Sequence, residues 1–174
     1  MRKMIVAMSF MSFLITSVLT VSIWALPEKF FEVSPGIYRS AQPSKKDIQQ
    51  LKDYGIKTIL ILNNDDDVVR SELKAAKKAG LNVIEQPMSG FWTPDDVKVD
   101  EILATLNDPS YYPILIHCKH GEDRTGLMIG LHRVFAEGWT SASAYDEMLD
   151  YGFHPSLFKL DNYYKSVTAT SPEQ

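Results

Sequence analysis

The sequence has a single cysteine, Cys118, among 174 residues. No internal disulfide can staple the chain, so its fold rests on a hydrophobic core. Histidine is also scarce: His117, His120, His132 and His154 are all there are. A closed zinc site wants four ligands, and His117, Cys118 and His120 have no fourth at a useful spacing, so no metal and no other cofactor is expected. Positive charge is not in excess either. The formal charge is −4, to which Arg2 and Lys3 contribute +2, leaving −6 for residues 26–174. Such a surface repels a phosphate backbone, and nucleic acid is excluded as a partner. Repeats and low-complexity segments are absent, and 45% hydrophobic with 23% charged residues suits one globular domain.

One stretch lacks charge altogether. Between Lys3 and Glu28 there is no ionisable side chain other than the basic start itself, and Met4 to Ala25 is mostly Met, Ile, Val, Leu and Phe. A basic start followed by an apolar run reads as an export leader, with cleavage after Ala25. The run is longer than the usual apolar region of a leader, so retention as an N-terminal membrane anchor by residues 4–25 is the alternative. The expected organisation is a signal peptide or anchor at 1–25, a catalytic domain at 26–166, and a tail at 167–174.

The chain is organised around His117-Cys118-Lys119-His120-Gly121-Glu122-Asp123-Arg124-Thr125-Gly126, which follows the apolar run Tyr112 to Ile116 and precedes a helical pattern from Leu127. A strand enters and a helix leaves. Five residues between Cys118 and Arg124 make a tight loop whose backbone N–H groups turn inward, with the positive end of the helix dipole behind them: an anion cradle. Helix N-termini and cations favour the thiolate of a cysteine held on such a rim, which activates a nucleophile without a base. Arg124 offers a planar fork for two oxygens of a phosphate. Gly121 and Gly126 permit close backbone approaches. A buried structural cysteine is the plain alternative, but it has no need of His, Arg and two glycines around it.

These ten residues match at every fixed position the signature His-Cys-five residues-Arg-Ser/Thr-Gly, and the sequence resembles the cysteine-dependent protein tyrosine and dual-specificity phosphatases. Ile37-Tyr38-Arg39-Ser40-Ala41-Gln42-Pro43-Ser44 and Gly152-Phe153-His154-Pro155 are similar to text in small exported bacterial members, so the likeness runs from about Val33 to Tyr164. The resemblance implies an α/β fold, a central mostly parallel sheet flanked by helices. It implies Cys118 as nucleophile, Arg124 as phosphate clamp, His117 as support for the thiolate and Thr125 as a hydroxyl aiding its departure. Lys119, His120, Gly121, Glu122 and Asp123 complete the phosphate-binding loop with Arg124. It also implies a general acid from the preceding loop, where Trp92-Thr93-Pro94-Asp95-Asp96 resembles the Trp-Pro-Asp loop with one residue inserted. With Thr93 as N-cap, Asp96 at N3 completes a capping box, which leaves Asp95 as the acid; Asp96 and Asp65 to Asp67 remain alternatives. The leader then points to the periplasm of a bacterium, or to its inner membrane if retained.

Along the rest of the chain, Phe30 to Val33 and Ile37 to Ser40 read as a hairpin around Pro35-Gly36. Ser44 caps a helix that ends at Gly55, and Ile56 to Leu62 reads as a strand buried on both faces. Asp67 is expected to cap a helix from Val68 to Ala79, followed by a strand Leu81 to Glu85. After the cysteine loop, Leu127, Leu131, Val134 and Phe135 form a helical stripe, then come helices from Ser141 and after Pro155. Right-handed crossovers bring Asn63 to Asp67, Pro87 to Asp96 and the Cys118 loop to one sheet edge.

The function these features imply is phosphomonoester hydrolysis through a cysteinyl-phosphate, on phosphotyrosine protein, with dual specificity toward phosphoserine and phosphothreonine an open extension. An inositol-phosphate or phosphoinositide phosphatase is the rival enzyme: Lys119 resembles the loop lysine of those enzymes, while Glu122 and Asp123 stand where several of them are basic. A phosphate-binding module without turnover is the alternative from another class. The partner is a phosphorylated protein or small phosphorylated substrate, with a membrane involved only if the leader stays.

Overall fold

A computed structural model describes residues 26–169. The leader and the final residues of the tail lie outside that range. Five strands form one sheet: β1 (Phe31–Ser34), β2 (Ile37–Ser40), β3 (Thr58–Ile61), β4 (Asn82–Glu85) and β5 (Ile114–His117), in the order β1-β2-β5-β3-β4. Only the β1–β2 hairpin is antiparallel. Six α-helices complete the described chain: α1 (Lys45–Tyr54), α2 (Asp66–Ala79), α3 (Asp96–Leu106), α4 (Asp123–Phe135), α5 (Ser141–Asp150) and α6 (Phe158–Thr168). The chain therefore has the mostly parallel, helix-flanked sheet that its alternating pattern implies. Among the described residues no helix is long and apolar enough to cross a membrane.

The sheet separates two cores. α1 and α2 cover one face, with Ile48, Leu51, Ile59, Ile61 and Ala76 among the buried side chains. α3, α4, α5 and α6 cover the other, with Leu60, Ile102, Ile114, Ile116, Leu127 and Leu131. From Ile59 to Ile61 and from Ile114 to Ile116, β3 and β5 alternate between these cores residue by residue, which is why both read as continuous apolar runs there rather than alternating ones. Ser44 caps α1 in a full capping box with Asp47, and Gly55 at φ +112° closes the helix.

Four local expectations need correction. α2 is capped by Asp65, not Asp67, because the Asn63 side chain accepts from the Asp65 N–H and bends the chain into the helix two residues early. α3 is capped by Asp95, not Thr93: Ser89 Oγ accepts from the N–H groups of Phe91 and Trp92, keeping that stretch in a turn, and Asp95 Oδ1 accepts from Lys98 N at 3.0 Å. Asp96 is thus the first helical residue and accepts from the Tyr163 hydroxyl. α4 has no apolar stripe. It is buried all round from Thr125 to Val134 by three neighbouring helices, and its last residue, Phe135, is exposed. Finally, α6 runs past Ser166 to Thr168, whose buried hydroxyl bonds Ser141 and the Tyr164 carbonyl.

Candidate active site

β5 lies between β2 and β3, with His117 in register with Ser40 on one side and Ile61 on the other. The carboxyl ends of all three strands consequently deliver their next residues to one edge of the sheet. Cys118 follows β5 directly, and α4 starts five residues later with Glu122 as an N-cap that makes no side-chain capping bond. The first-turn N–H groups of α4 have no intrahelical partner, so the positive end of this helix is open at the loop.

The loop closes by pressing against β2. Gly121 has φ +72°, and a Cβ there would lie 2.5 Å from the Ser40 carbonyl oxygen. Backbone on that side cannot step aside, so glycine is required both for its conformation and for space. Gly126 is different: a Cβ would meet only ordinary contacts there. We expect Gly121→Ala to lower stability by about 2–4 kcal/mol in urea unfolding, the sum of a left-handed alanine and a backbone clash; a loss below about 0.5 kcal/mol would mean that the loop does not pack against Ser40.

Arg39, buried beneath the loop, donates from Nη2 to the Gly121 carbonyl at 2.8 Å and stacks 4.4 Å over the Tyr151 ring. Burial pulls its guanidinium below the ordinary arginine range, while Glu147, Tyr151 and Cys118 act in the opposite direction. His117 is fully buried: Nδ1 faces the Cys118 carbonyl at 3.1 Å and Nε2 lies 2.7 Å from Glu72. Thr125 is buried with a hydroxyl that has no partner among the described residues.

Arg124 is anchored by one end only. Nη1 donates to the Asn64 side chain at 3.0 Å and to the carbonyls of Met88 at 3.2 Å and Leu62 at 3.4 Å. Nε and Nη2 have no partner among the described residues. Those two N–H groups form the parallel edge of the fork that binds two oxygens of an oxyanion.

Cys118 and Arg124 line a cavity of about 460 Å³ together with Lys119, His120, Asp123, Asn64, Asp65 and Phe91. Glu122 points elsewhere, in an ion pair with Lys29, and Asp123 accepts from both the N–H and Nδ1 of His154. Asp95 is not in this wall. It lines a separate cavity of about 230 Å³ with Trp92, Pro94 and Lys98. Phe91 and Trp92 are 76% and 72% exposed, so they do not staple the start of α3.

Sequence reasoning missed Glu72, Gln42, Asn64 and Arg39. Glu72 left a signal, a carboxylate on the apolar line Val69, Glu72, Ala76 of α2, where burial demands donors. The others lie far from Cys118 in sequence and reach it only through the order of the strands.

The sequence model of the tyrosine phosphatase family matches residues 25–164. The chain belongs to that family. Among its relatives is the dual specificity protein phosphatase TpbA of Pseudomonas aeruginosa, 34% identical over 124 residues that cover 71% of this chain and 54% of the relative. Another is the inositol diphosphatase SIW14 of Saccharomyces cerevisiae, 31% identical over 140 residues, covering 78% of this chain and 49% of the relative. The chain spans about half the length of the curated relatives it matches. The fold is that of these phosphatases: a cysteine-to-serine variant of TpbA in complex with phosphotyrosine superposes with a TM-score of 0.67 at 28% identity, covering 79% of this chain and 83% of TpbA. The core catalytic domain of SIW14 in complex with citrate gives 0.71 at 26% identity, covering 84% and 87%.

Proposed function

We propose that this family member hydrolyses phosphomonoesters in two displacements. The Cys118 sulfur attacks phosphorus and the ester oxygen leaves with a proton; water then attacks the cysteinyl-phosphate and releases inorganic phosphate. The observation that carries this reading is the half-anchored Arg124, which lines the same cavity as Cys118 at the open end of α4 and whose Nε and Nη2 edge has no partner among the described residues. The open helix end and that edge meet the charge on the equatorial oxygens as it builds. The resemblance to the phosphatases implies the Thr125 hydroxyl, buried and without a partner among the described residues, as the donor that aids departure of the sulfur in the second step.

Phosphotyrosine protein is the substrate class we favour, with phosphoserine and phosphothreonine as the extension. An exposed aromatic, Phe91, stands at the cavity wall, and Asp65 opens a run of three acids beside it, a rim that attracts basic peptide flanks and repels polyanions. The inositol-phosphate reading draws support from the similarity to SIW14 and from Lys119 in the same wall. A panel of phosphopeptides, p-nitrophenyl phosphate and an inositol polyphosphate separates them. We expect kcat/KM on the phosphotyrosine peptide to exceed that on the polyphosphate by at least about tenfold, which is 1.4 kcal/mol; the reverse order replaces the first reading by the second, and binding without turnover anywhere leaves a phosphate-binding module.

For the general acid we favour Asp65 over Asp95. Asp65 shares the cavity with Cys118, and its carboxylate is held only by a long 3.5 Å contact from Val68 N, whereas Asp95 is engaged by Lys98 N in a separate cavity. Asp65→Asn should lower kcat on alkyl and peptide phosphates by about 10²–10⁴, and less on aryl esters whose leaving groups need little protonation. Asp95→Asn should leave kcat within a few-fold of wild type and cost at most about 1 kcal/mol of stability. The opposite pattern assigns the acid to Asp95. The uncharged interval after Lys3 supports export to the periplasm, and its length supports the inner-membrane anchor as the second reading; the size of the chain recovered from each fraction decides between them.

A further inference from the structure

Glu72 faces the core from α2, with its side chain 2% exposed. A carboxylate there is tolerated only if its oxygens receive hydrogen bonds. One oxygen lies 2.7 Å from His117 Nε2, and the other accepts from Gln42 Nε2 at 2.8 Å. The chain of bonds continues outward: Gln42 Oε1 accepts from Asn63 Nδ2 at 2.5 Å, and Asn63 Oδ1 accepts from the Asp65 N–H at 3.4 Å. That last donor is backbone and cannot reverse. It makes Asn63 an acceptor at one end, hence a donor to Gln42, hence Gln42 a donor to residue 72. On the other side His117 Nδ1 faces a carbonyl oxygen, an acceptor, so the ring carries a proton at Nδ1 and shares another with Glu72 through Nε2. The bond from Gln42 favours the ionised carboxylate and leaves that shared proton on the ring.

We propose that Glu72 is a positioning residue for the nucleophile: it holds His117 as a doubly donating, positively charged ring that pins the backbone carbonyl of Cys118. Its kinetic consequence rests on the phosphatase reading above; its structural content does not. Glu72 touches no substrate and acts through His117. The other charged or titratable groups at this point are Cys118 itself and Arg39 of β2, which bonds the Gly121 carbonyl and lies within Coulombic reach of Cys118. The same carboxylate ties the end of β5 to the segment after β2, and through Gln42 and Asn63 to the segment after β3 that carries Asn64, an anchor of Arg124. An amide at residue 72 serves both neighbours only by accepting from Gln42 and donating to a His117 Nε2 that has given up its proton, so it satisfies the hydrogen bonds but removes the charge from the ring.

Two measurements test this on the full chain. In ¹⁵N-histidine-labelled wild type, with His117 assigned by the signals lost in His117→Asn, both ring nitrogens are expected protonated at neutral pH; a ring with one proton overturns the proposal. Glu72→Gln is expected to lower kcat by about 10–100-fold, the scale on which a partner orients a reacting group. KM and phosphate binding should stay within about twofold, and the rate of alkylation of Cys118 by iodoacetamide at a fixed neutral pH should fall by about tenfold. Glu72→Asp, which restores the carboxylate, should recover most of that rate. An unchanged alkylation rate in folded Glu72→Gln overturns the proposal, and if that variant does not fold the ¹⁵N result decides alone. Wild type that retains the doubly protonated ring yet turns over no phosphomonoester refutes the phosphatase reading instead.

Discussion

Cys118→Ser is expected to abolish turnover, by at least about 10⁴-fold, while inorganic phosphate binds as tightly as in wild type. A serine hydroxyl is a weak nucleophile at its ordinary pKa, and nothing around residue 118 is arranged to deprotonate it: His117 is committed to Glu72 and to the residue 118 carbonyl. The binding apparatus is separate from the sulfur. The open first turn of α4 and the Nε and Nη2 edge of Arg124 are untouched by the change. Serine keeps the size of the side chain and adds no charge at the base of the cradle, which is why phosphate binding should hold. The side chain is buried in the core that α4 completes, so the melting temperature serves as the control for the fold. Titration calorimetry with phosphate and a stopped assay on a phosphopeptide make the test. Turnover within tenfold of wild type would remove the cysteinyl-phosphate from the mechanism.

The part of this site that was legible in the sequence is the part confined to contiguous residues. The ten residues from His117 to Gly126 carry the end of β5, the loop and the start of α4 within one stretch, and the family resemblance that suggests their roles rests on those contiguous residues. The sheet was legible for a similar reason: Ile56 to Leu62, nearly unbroken, and Tyr112 to Ile116 are apolar runs because each separates two cores. What escaped is whatever depends on the lateral order of strands. Glu72 lies 45 residues from His117, and Gln42 lies 30 from Glu72; they meet because β2 and β3 flank β5. Cap choice escaped on a smaller scale. Thr93-Pro94-Asp95-Asp96 and Asp65-Asp66-Asp67 each offer more than one cap, and the winners were selected by Ser89 and Asn63, side chains outside the capping motif itself. That error mattered functionally, since the argument for Asp95 as acid depended on Thr93 being the cap.

Arg124→Lys should be nearly as damaging as loss of the nucleophile, with kcat reduced by about 10³-fold, because the site uses the shape of the guanidinium as much as its charge. Nη1 is held by Asn64 and by the carbonyls of Leu62 and Met88, from the segments that follow β3 and β4, and this fixes the plane of the fork. An ammonium at the end of a flexible stem reaches either those anchors or the phosphate, and it cannot present two parallel N–H groups. The loss should fall unequally on ground and transition states. In the bound ester the charge is spread over oxygens that the α4 end also meets, so phosphate affinity should weaken only about tenfold. In the transition state the transferring group flattens and its equatorial oxygens come into line with the fork, where bidentate contact counts most. A larger fall in kcat than rise in KM is therefore the expected signature. Equal changes in the two would mean that Arg124 binds substrate and transition state alike. Activity near wild type would mean that the three anchors, not the oxyanion, are what the guanidinium is for.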